Sequence, residues 1–389
     1  MHSDRESGDP VLRVCYFGTY RADYSRSQIL LAGLHGRPHV QVYECHSQLW
    51  HGIDDRVEQA SGGWRNPRFL VRVLASYWRL FRKHNQTPEY DVMLIGYPGQ
   101  FDAYLGRLLT WWRRKPMALD ILMSLYLVAE ERGLTEKSPW TGRLIFQLEK
   151  GGLHRPDLLL SENDAYESYY CRRYGLDPRD FRKVPHGADD RIFYPRSVDR
   201  PDHPFLVTYH GTYLPSHGMD AVIGAAILLK DQLDIHFHFF GDGPERDHLV
   251  QVAAEESLEN VTFHGFVDRE ELLNSLARSH VTLGVFGETK QSHYTVQNKI
   301  WEGLAMARPV ISGDSTVVRE SLTDGKHIYL VPREDPQALA EAIKTLKKNP
   351  QLREEIARAG YQRFLAGNSI AAIGATTERA LRTLLETHS

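Results

Sequence analysis

Residues 281–313 have the sequence VTLGVFGETKQSHYTVQNKIWEGLAMARPVISG, and this stretch decides the fold. Its first seven residues are β-branched, aromatic or glycine, which is typical of a buried parallel strand. Apolar residues then recur at helical spacing from Ile300 to Ala307, until Pro309 ends the helix before a second strand, PVIS. A strand, a helix and a strand in this order predict an α/β domain.

The polar residues of that helix indicate a ligand. Asn298, Lys299 and Glu302 are three or four residues apart and share one side of its first turns. Lys299 is unfavourable there, because a helix N-terminus already carries partial positive charge. A bound diphosphate would resolve the conflict, with Glu302 accepting hydrogen bonds from a ribose. A solvated polar face explains the same residues equally well.

The segment resembles the nucleotide-sugar site of the retaining family-4 glycosyltransferases (glycosyl transferases group 1). Their pattern is two glutamates separated by seven residues, followed by AMAxGxPVI. Glu302 matches the second glutamate, the ribose binder, whereas Tyr294 stands at the first position and Ala307 at the glycine. The resemblance implies the α/β GT-B fold, in which two Rossmann-like doubly wound α/β/α domains face each other across a cleft.

Length and composition agree with two domains and exclude several classes of protein. A chain of 389 residues is too long for one typical core. A net charge of -3, with acids and bases interspersed, argues against a nucleic-acid partner. No apolar run approaches the roughly 18 residues that cross a bilayer. Three cysteines without metal or redox spacing argue against a disulfide framework. We expect a cytoplasmic protein with a disordered leader over residues 1–10.

The N-terminal half begins as a doubly wound domain. VLRVCYFG (11–18) is a strand that ends in a glycine turn, and a helix begins near Ser25–Ser27. The absence of G-x-G-x-x-G gives no support to a dinucleotide cofactor. The resemblance implies that Gly18 and Thr19 lie over the donor diphosphate. A plain tight turn explains them equally well.

The acceptor residues are predicted at two later strand ends. Tyr97 follows the strand in 90–100, and Asp120 lies where the strand in 116–127 gives way to a loop. Burying an unpaired charge is costly, so a carboxylate at this position indicates a functional role for Asp120. The resemblance implies that this strand end faces the acceptor. Asp120 is therefore predicted as an acceptor contact or base, with Ser124 and Tyr126 as further contacts.

Two basic segments raise the possibility of a membrane contact. Residues 65–84 form an amphipathic helix rich in arginine, and LLTWWRRKP (108–116) combines tryptophans with bases. Such segments can rest on an anionic lipid surface, at the inner face of the membrane for a cytoplasmic protein. A solvated flank is the more common explanation for the helix, and core packing explains the second run nearly as well.

The resemblance also divides the chain. A V-P-x-G-A-D…F-x-P linker closes the first domain, which gives an N-terminal acceptor-side domain at 11–198 and a C-terminal nucleotide-sugar-binding domain at 204–370. The last helix, 371–389, is expected to cross back to the first domain. The second domain opens at 205–229 with a strand, a glycine turn and a helix, which is phosphate-holding geometry.

That turn departs from the family pattern G-R-L-x-x-x-K-G. Gly211 is kept, while Thr212 and His217 stand at the arginine and lysine positions. A diphosphate beside His217 would raise the pKa of its imidazole above about 6.5, so that the ring stabilises the leaving group while protonated. An equally simple explanation is that His217 caps the helix that begins at Gly218.

The resemblance implies a retaining, metal-independent transfer from a UDP- or GDP-sugar to a hydroxyl of a saccharide or small-molecule acceptor, with no cofactor. The predicted catalytic residues are Asp120, His217 and Lys299. The other donor residues lie at two strand ends and in the loop before the helix: Gly265, Phe266, Val267, Tyr294, Val296, Gln297, Asn298 and Glu302. Two alternatives stay open: an inactive nucleotide-sugar-binding subunit, and a nucleotide-sugar hydrolase or epimerase of the same fold.

Overall fold

The computed structural model describes residues 10–49, 67–131 and 133–388, with the backbone alone at 67–69. Residues 1–9 of the predicted leader, and the first two residues of the predicted basic helix, lie outside the described residues. The chain forms two compact units. The first runs to Pro185 and resumes at Ile370, and the second is His186–Ser369.

The first unit is built on a six-stranded parallel sheet in the order β2-β1-β3-β4-β5-β6. The strands are β1 (Leu12–Gly18), β2 (Val40–His46), β3 (Val92–Ile95), β4 (Met117–Ile121), β5 (Leu158–Ser161) and β6 (Phe181–Lys183). The central strands β3 and β4 are buried along their whole length, as expected when helices cover both faces of a sheet.

Helices connect these strands. They are α1 (Ser25–His35), α2 (Pro67–Gln86), α3 (Asp102–Arg113), α4 (Leu125–Glu131), α5 (Leu134–Lys137), α6 (Pro139–Leu153) and α7 (Asp164–Tyr174). The strand predicted over 116–127 ends early, because Ser124 Oγ accepts a hydrogen bond from Leu127 N (3.2 Å) and starts α4. Ser124 and Tyr126 therefore belong to a helix start and not to a strand end.

The second unit repeats this architecture with the strand order β12-β11-β10-β7-β8-β9, again all parallel. The strands are β7 (Phe205–His210), β8 (Ile235–Phe240), β9 (Val261–Gly265), β10 (Val281–Leu283), β11 (Val310–Gly313) and β12 (Tyr329–Val331). The run VTLGVFG pairs as a strand over its first three residues. Beyond them, Gly284 N still donates to the Ile311 carbonyl (2.8 Å), and Val285 N then donates to the Ser312 hydroxyl (3.2 Å).

The helices of the second unit complete its two outer layers. They are α8 (Met219–Leu228), α9 (Arg246–Glu255), α10 (Arg269–Arg278), α11 (Asn298–Ala305), α12 (Thr316–Ser321), α13 (Pro336–Lys348) and α14 (Pro350–Gly367). The core lies between the sheet and α8 and α13, with Val207, Val222 and Ile343 all fully buried. Phe193 and Val198 pack against α10, which attaches this stretch of the linker to the second unit.

The last helix, α15 (Ile370–His388), belongs to the first unit, where it packs on α1. The two helices cross closely at Gly33 and Gly374, since a Cβ on Gly33 would lie 2.8 Å from the Gly374 Cα. An ion pair between Arg37 Nε, just beyond α1, and a Glu378 carboxylate oxygen of α15 (2.6 Å) adds to this contact. Among the described residues, no helix combines the length and apolar character needed to cross a bilayer.

Candidate functional site

The chain makes a glycine turn at the end of β7, and this turn lies against Lys299. Gly211 has φ = 131°, a conformation that favours glycine, and its N–H donates to the Phe240 carbonyl (3.0 Å). A Cβ at this position would lie 3.2 Å from Lys299 Cε and 3.3 Å from Nζ. Glycine therefore lets the ammonium group approach the backbone at the carboxyl edge of the sheet.

Lys299 is buried without an acidic partner. It is the second residue of α11 and is 6% exposed. Its Nζ lies 3.3 Å from the Tyr209 hydroxyl and 3.2 Å from His217 Nδ1, and no carboxylate in the described parts of the chain forms an ion pair with it. Burial lowers the pKa of Lys299 to about 7. A cation at a helix N-terminus without an ion-pair partner favours an anionic ligand.

His217 is also buried, and its ring lies beside the Lys299 ammonium group. It ends a short 3-10 turn at Pro215–His217, and its Nδ1 contacts the Tyr209 hydroxyl (2.7 Å) and the Thr212 carbonyl. Burial, and then the charge of Lys299, hold the pKa of His217 well below its ordinary value. The cationic ring was predicted for a chain with a bound diphosphate, so it stays a prediction. His217 does not cap α8, because Gly218 occupies the N-cap without a side-chain hydrogen bond.

Glu302 lies one turn beyond Lys299 and is held by a histidine. Its Oε2 is 2.7 Å from His210 Nε2, and both side chains are mostly buried. The second ring nitrogen of His210 is buried, with no hydrogen-bond partner among the described residues. The pair fixes one carboxylate oxygen of Glu302 and leaves the other to accept hydrogen bonds.

The neighbouring strands end in line with β7. Gly241 N donates to the Gly265 carbonyl (2.7 Å), which joins the turns after β8 and β9. Gly265 has φ = 67° with open space around its Cα, and the Phe266 side chain that follows is 84% exposed. The predicted residues Gly265, Phe266 and Val267 thus lie at an open edge of the sheet.

Hydrogen bonds from Arg333 hold the loop between β10 and α11. Arg333 donates to the carbonyls of Gly287 (2.6 Å) and Ser292 (3.2 Å). This loop contains the predicted donor residues that precede the helix: Tyr294, Val296 and Gln297. Gln297 is the N-cap residue of α11, and its side chain makes no capping hydrogen bond. In the parts of the chain that the structure describes, no group of three His, Cys, Asp or Glu residues is arranged to hold a metal ion.

In the first unit, Asp120 forms a buried ion pair. Arg26 Nη2 lies 2.6 Å from its carboxylate, and Arg26 Nε donates to both oxygens (3.1 Å). Both residues are essentially unexposed, and Arg26 Nη1 also donates to the Pro185 carbonyl (2.7 Å). The pairing with Arg26 gives the buried carboxylate of Asp120 a structural explanation, and its predicted acceptor role stays a prediction.

The turn at Gly18 is likewise filled by a side chain of the same unit. Thr19 donates from its backbone N–H (2.6 Å) and its hydroxyl to the buried carboxylate of Asp102, which also accepts from the Tyr77 hydroxyl (2.9 Å). A Cβ on Gly18 would lie 2.6 Å from Asp102 Oδ2. A carboxylate thus sits where Gly18 and Thr19 were predicted to meet a diphosphate, and two anions there would repel.

The remaining predicted acceptor residues have internal contacts too. The buried carboxylate of Glu149 accepts from the Ser124 hydroxyl (3.0 Å) and from Tyr126 N (2.9 Å). Tyr97 is buried, with its ring 5.7 Å from that of Tyr24. Ser124 and Tyr126 therefore anchor the start of α4 to α6.

The residues that hold these site residues in place were not predicted from the sequence. His210 is the last residue of β7, so the rule that singled out Asp120, a polar side chain at a strand end, applies equally to His210. Asp102 and Arg26 carry no local pattern that announces a partner, because they lie 83 and 94 residues from the groups they bind.

Most of the second unit matches a known protein family. Residues 204–349 match the family model described as Glycosyl transferases group 1. The chain is 29% identical over 249 residues to an alpha-D-kanosaminyltransferase from Streptomyces kanamyceticus, which covers 62% of this chain and 58% of the relative. It is 27% identical over 166 residues to the lipopolysaccharide core biosynthesis glycosyltransferase LpsD from Rhizobium meliloti, 42% of this chain and 46% of the relative. The chain thus spans about half the length of these relatives.

Solved structures share the fold at low identity. HepE from Anabaena, in complex with UDP-glucose, aligns with a TM-score of 0.68 at 15% identity over 96% of this chain and 100% of that one. Sucrose-phosphate synthase from Thermosynechococcus elongatus aligns with a TM-score of 0.69 at 17% identity over 97% and 100%. The predicted GT-B fold, with two Rossmann-like α/β/α units, is confirmed.

Proposed function

We propose that the chain is a glycosyltransferase that moves a sugar from a nucleotide-diphosphate sugar to an acceptor hydroxyl. The observation that carries the proposal is Lys299, a buried lysine in the first turn of α11 that lies against the Gly211 turn and forms no ion pair among the described residues, the charge of Glu302 acting on it only from one turn away. An unpaired buried charge is costly in a protein of any function. A bound diphosphate would compensate this buried positive charge.

The diphosphate would be held by charge and by backbone amides. The N-terminus of α11 carries the partial positive charge of the helix dipole, and Gln297, its N-cap residue, makes no side-chain capping hydrogen bond. A phosphate there would raise the lowered pKa of Lys299 and keep the ammonium charged. The developing negative charge of the leaving group would then meet a fixed cation, which is the largest catalytic task in this reaction.

The nucleoside would lie along the edge formed by the three glycine turns. Glu302, fixed by His210, presents its free oxygen to the ribose hydroxyls. The base would rest against the backbone at Gly265–Val267, where a glycine leaves open space. HepE binds UDP-glucose, and this supports UDP as the first nucleotide to test here, with GDP second.

The transfer would proceed with retention and without a metal ion. Positive charge comes from Lys299 and the amides of α11, and no acidic side chain stands at Tyr294 to act as a nucleophile. We therefore favour front-side displacement. The acceptor oxygen bonds to the anomeric carbon, the bond from that carbon to the phosphate oxygen breaks, and the acceptor proton moves to the departing phosphate.

Calorimetric titration with UDP and GDP tests the donor site. We expect Lys299→Met to weaken UDP binding far more than uridine binding, whereas the exposed Lys326→Met, in the same unit, should change neither. Equal losses for both ligands would mean that Lys299 does not face a diphosphate. If transfer is found, NMR of the product shows whether the anomeric configuration is kept, and assay in EDTA tests metal independence.

A second candidate is a subunit that binds nucleotide sugars without turnover. It is favoured by Thr212 and by the neutral His217 at the positions where the family has arginine and lysine. Tight UDP-sugar binding, with neither transfer to a panel of acceptors nor hydrolysis, would support this candidate over the enzyme.

A further inference from the structure

A cavity of about 650 Å³ lies in the first unit beside Thr19 and Pro98, which follow β1 and β3. Its walls are apolar side chains of three helices: Val73 and Phe81 from α2, Phe101 and Leu105 from α3, and Leu148 from α6. The polar groups at its wall, Asp102, Thr19 and Tyr77, bond to one another. They are therefore satisfied internally, and the space favours an apolar occupant.

Each of the three helices extends the cavity wall into an exposed apolar stripe. Members are three or four residues apart, so they share a helix face. We call the exposed members the apolar rim: Leu74, Trp78, Leu108, Trp112, Trp140 and Leu144, between 44% and 78% exposed. Single exposed apolar residues are common, but stripes from three helices that lead into one cavity indicate a binding surface.

The exposed charges on the three helices that carry the rim have one sign, while Glu136 of the neighbouring α5 is an exposed acid. Among the described side chains of α2, α3 and α6, the carboxylates are Asp102 and Glu149, and both are buried. The exposed charged residues on these helices are all basic: Arg79, Arg82, Lys83, Arg143 and Lys150. Tryptophan and leucine beside lysine and arginine, without exposed acids on the same helices, match the chemistry of an anionic lipid interface.

We propose that the apolar rim rests on an anionic lipid bilayer and that the cavity takes the hydrocarbon tail of one of its lipids. Within the proposed function, on which this step rests, that lipid is the acceptor that receives the sugar on its polar head. The carboxyl edge of the first sheet borders the cavity, so a tail held there leaves the lipid head at the strand ends. A wholly polar acceptor would gain nothing from these walls.

Vesicle binding tests the rim. Sedimentation with vesicles of phosphatidylcholine, with and without phosphatidylglycerol, should show binding that depends on the anionic lipid and weakens with salt. We expect Leu74→Asp and Trp112→Glu each to weaken binding about tenfold, and Arg82→Gln about fivefold. Leu233→Glu is the matched control, because Leu233 is a highly exposed leucine of the second unit and should leave binding unchanged.

A chain-length series tests the cavity. Octyl, decyl and dodecyl phosphate should be titrated below their micelle concentrations. Burial of each added methylene contributes about 0.8 kcal/mol of binding free energy, so affinity should rise roughly fourfold per methylene. Leu105→Trp narrows the cavity and should abolish the dependence on length while leaving vesicle binding by the rim in place. Equal affinity across the series in the native chain would overturn the tail site.

Other outcomes overturn the proposal or separate it from the proposed function. Absence of vesicle binding, or rim variants that bind vesicles as well as the native chain does, would overturn it. If sedimentation velocity shows that the native chain self-associates and that the rim variants do not, the rim is an interface between copies and not a lipid surface. Lipid binding with no sugar transfer would leave this inference intact and remove the proposed enzyme.

Discussion

At the scale of single residues, Lys299 sets the expected pH dependence of nucleotide binding. In the free chain, burial lowers its pKa to about 7, and a bound diphosphate would raise it. Between these two values binding takes up a proton, so UDP affinity should fall as pH rises above about 7, by up to tenfold per pH unit. Below about 7 the lysine is already charged, and its contribution to binding no longer changes.

Titration calorimetry at pH 7 to 9 in buffers of different ionisation enthalpy measures that proton uptake directly. The Lys299→Met variant should bind UDP weakly and show a flat pH dependence over this range. In the free chain the pKa of His217 lies well below its ordinary value, so we assign the pH dependence to Lys299, and a cationic His217 beside a diphosphate stays a prediction. If His217→Lys flattens the profile while Lys299→Met retains it, the original assignment to histidine holds.

The pair of His210 and Glu302 gives a second expectation at this scale. Glu302→Ala should weaken UDP binding by about 1.5–3 kcal/mol, the usual range for hydrogen bonds to a charged group. If His210 acts by orienting Glu302, His210→Ala should cost less, and the double variant should lose no more than Glu302→Ala alone. For 2′,3′-dideoxy-UDP, which lacks the ribose hydroxyls, all four proteins should bind alike. Additive losses would mean that His210 contacts the nucleotide independently.

Asp120 and Arg26 lead to an expectation about stability. Asp120→Asn leaves a buried guanidinium without its counter-charge and should lower the free energy of unfolding of the first unit by about 3–5 kcal/mol. Replacing both partners, Arg26→Met with Asp120→Leu, should restore most of that loss. Urea unfolding followed by circular dichroism measures both. Native stability of Asp120→Asn, combined with loss of transfer, would return Asp120 to the acceptor site.

At the scale of elements, the turn after β7 depends on one glycine. Gly211→Ala introduces a side chain at φ = 131° and a Cβ 3.2 Å from Lys299 Cε, so we expect about 1–3 kcal/mol of destabilisation together with weaker UDP binding. Gly175→Ala is the matched control. Its φ is 73° with open space around it, so it should cost about 1 kcal/mol and leave UDP binding unchanged. Unaltered UDP affinity in Gly211→Ala would separate the turn from the donor site.

Elements were easier to predict from the sequence than contacts. The strand–glycine–helix units at 11–35 and 205–229 formed where the alternation of apolar runs and glycines placed them, because that periodicity is local. The strand predicted over 116–127 was too long, since the hydroxyl of Ser124 starts a helix that apolar patterning alone does not reveal. The partners of Asp102 and Asp120 come from distant parts of the chain, and only the fold brings them together.

At the scale of the whole molecule, the two units have separate cores, and the donor residues that remain open to a ligand lie in the second. Ligand that binds only the native state stabilises it by about 2.7 kcal/mol at about 100 times Kd. We therefore expect saturating UDP to slow hydrogen exchange in β7, β10 and α11 of the second unit. In β1, β3 and β4 of the first unit, exchange should not change.

Hydrogen exchange resolved by mass spectrometry separates these segments, and Glu302→Ala at the same UDP concentration supplies the control, because it should show much weaker protection.

Exchange at the turn of Gly18 and Thr19 tests whether the first unit contacts the nucleotide. Asp102 already accepts the Thr19 N–H, so that amide should exchange equally with and without UDP. If UDP protected this turn as strongly as the Gly211 turn, Asp102 would have to give up its hydrogen bonds to the diphosphate, and the sequence-based assignment of Gly18 and Thr19 to the donor would be correct.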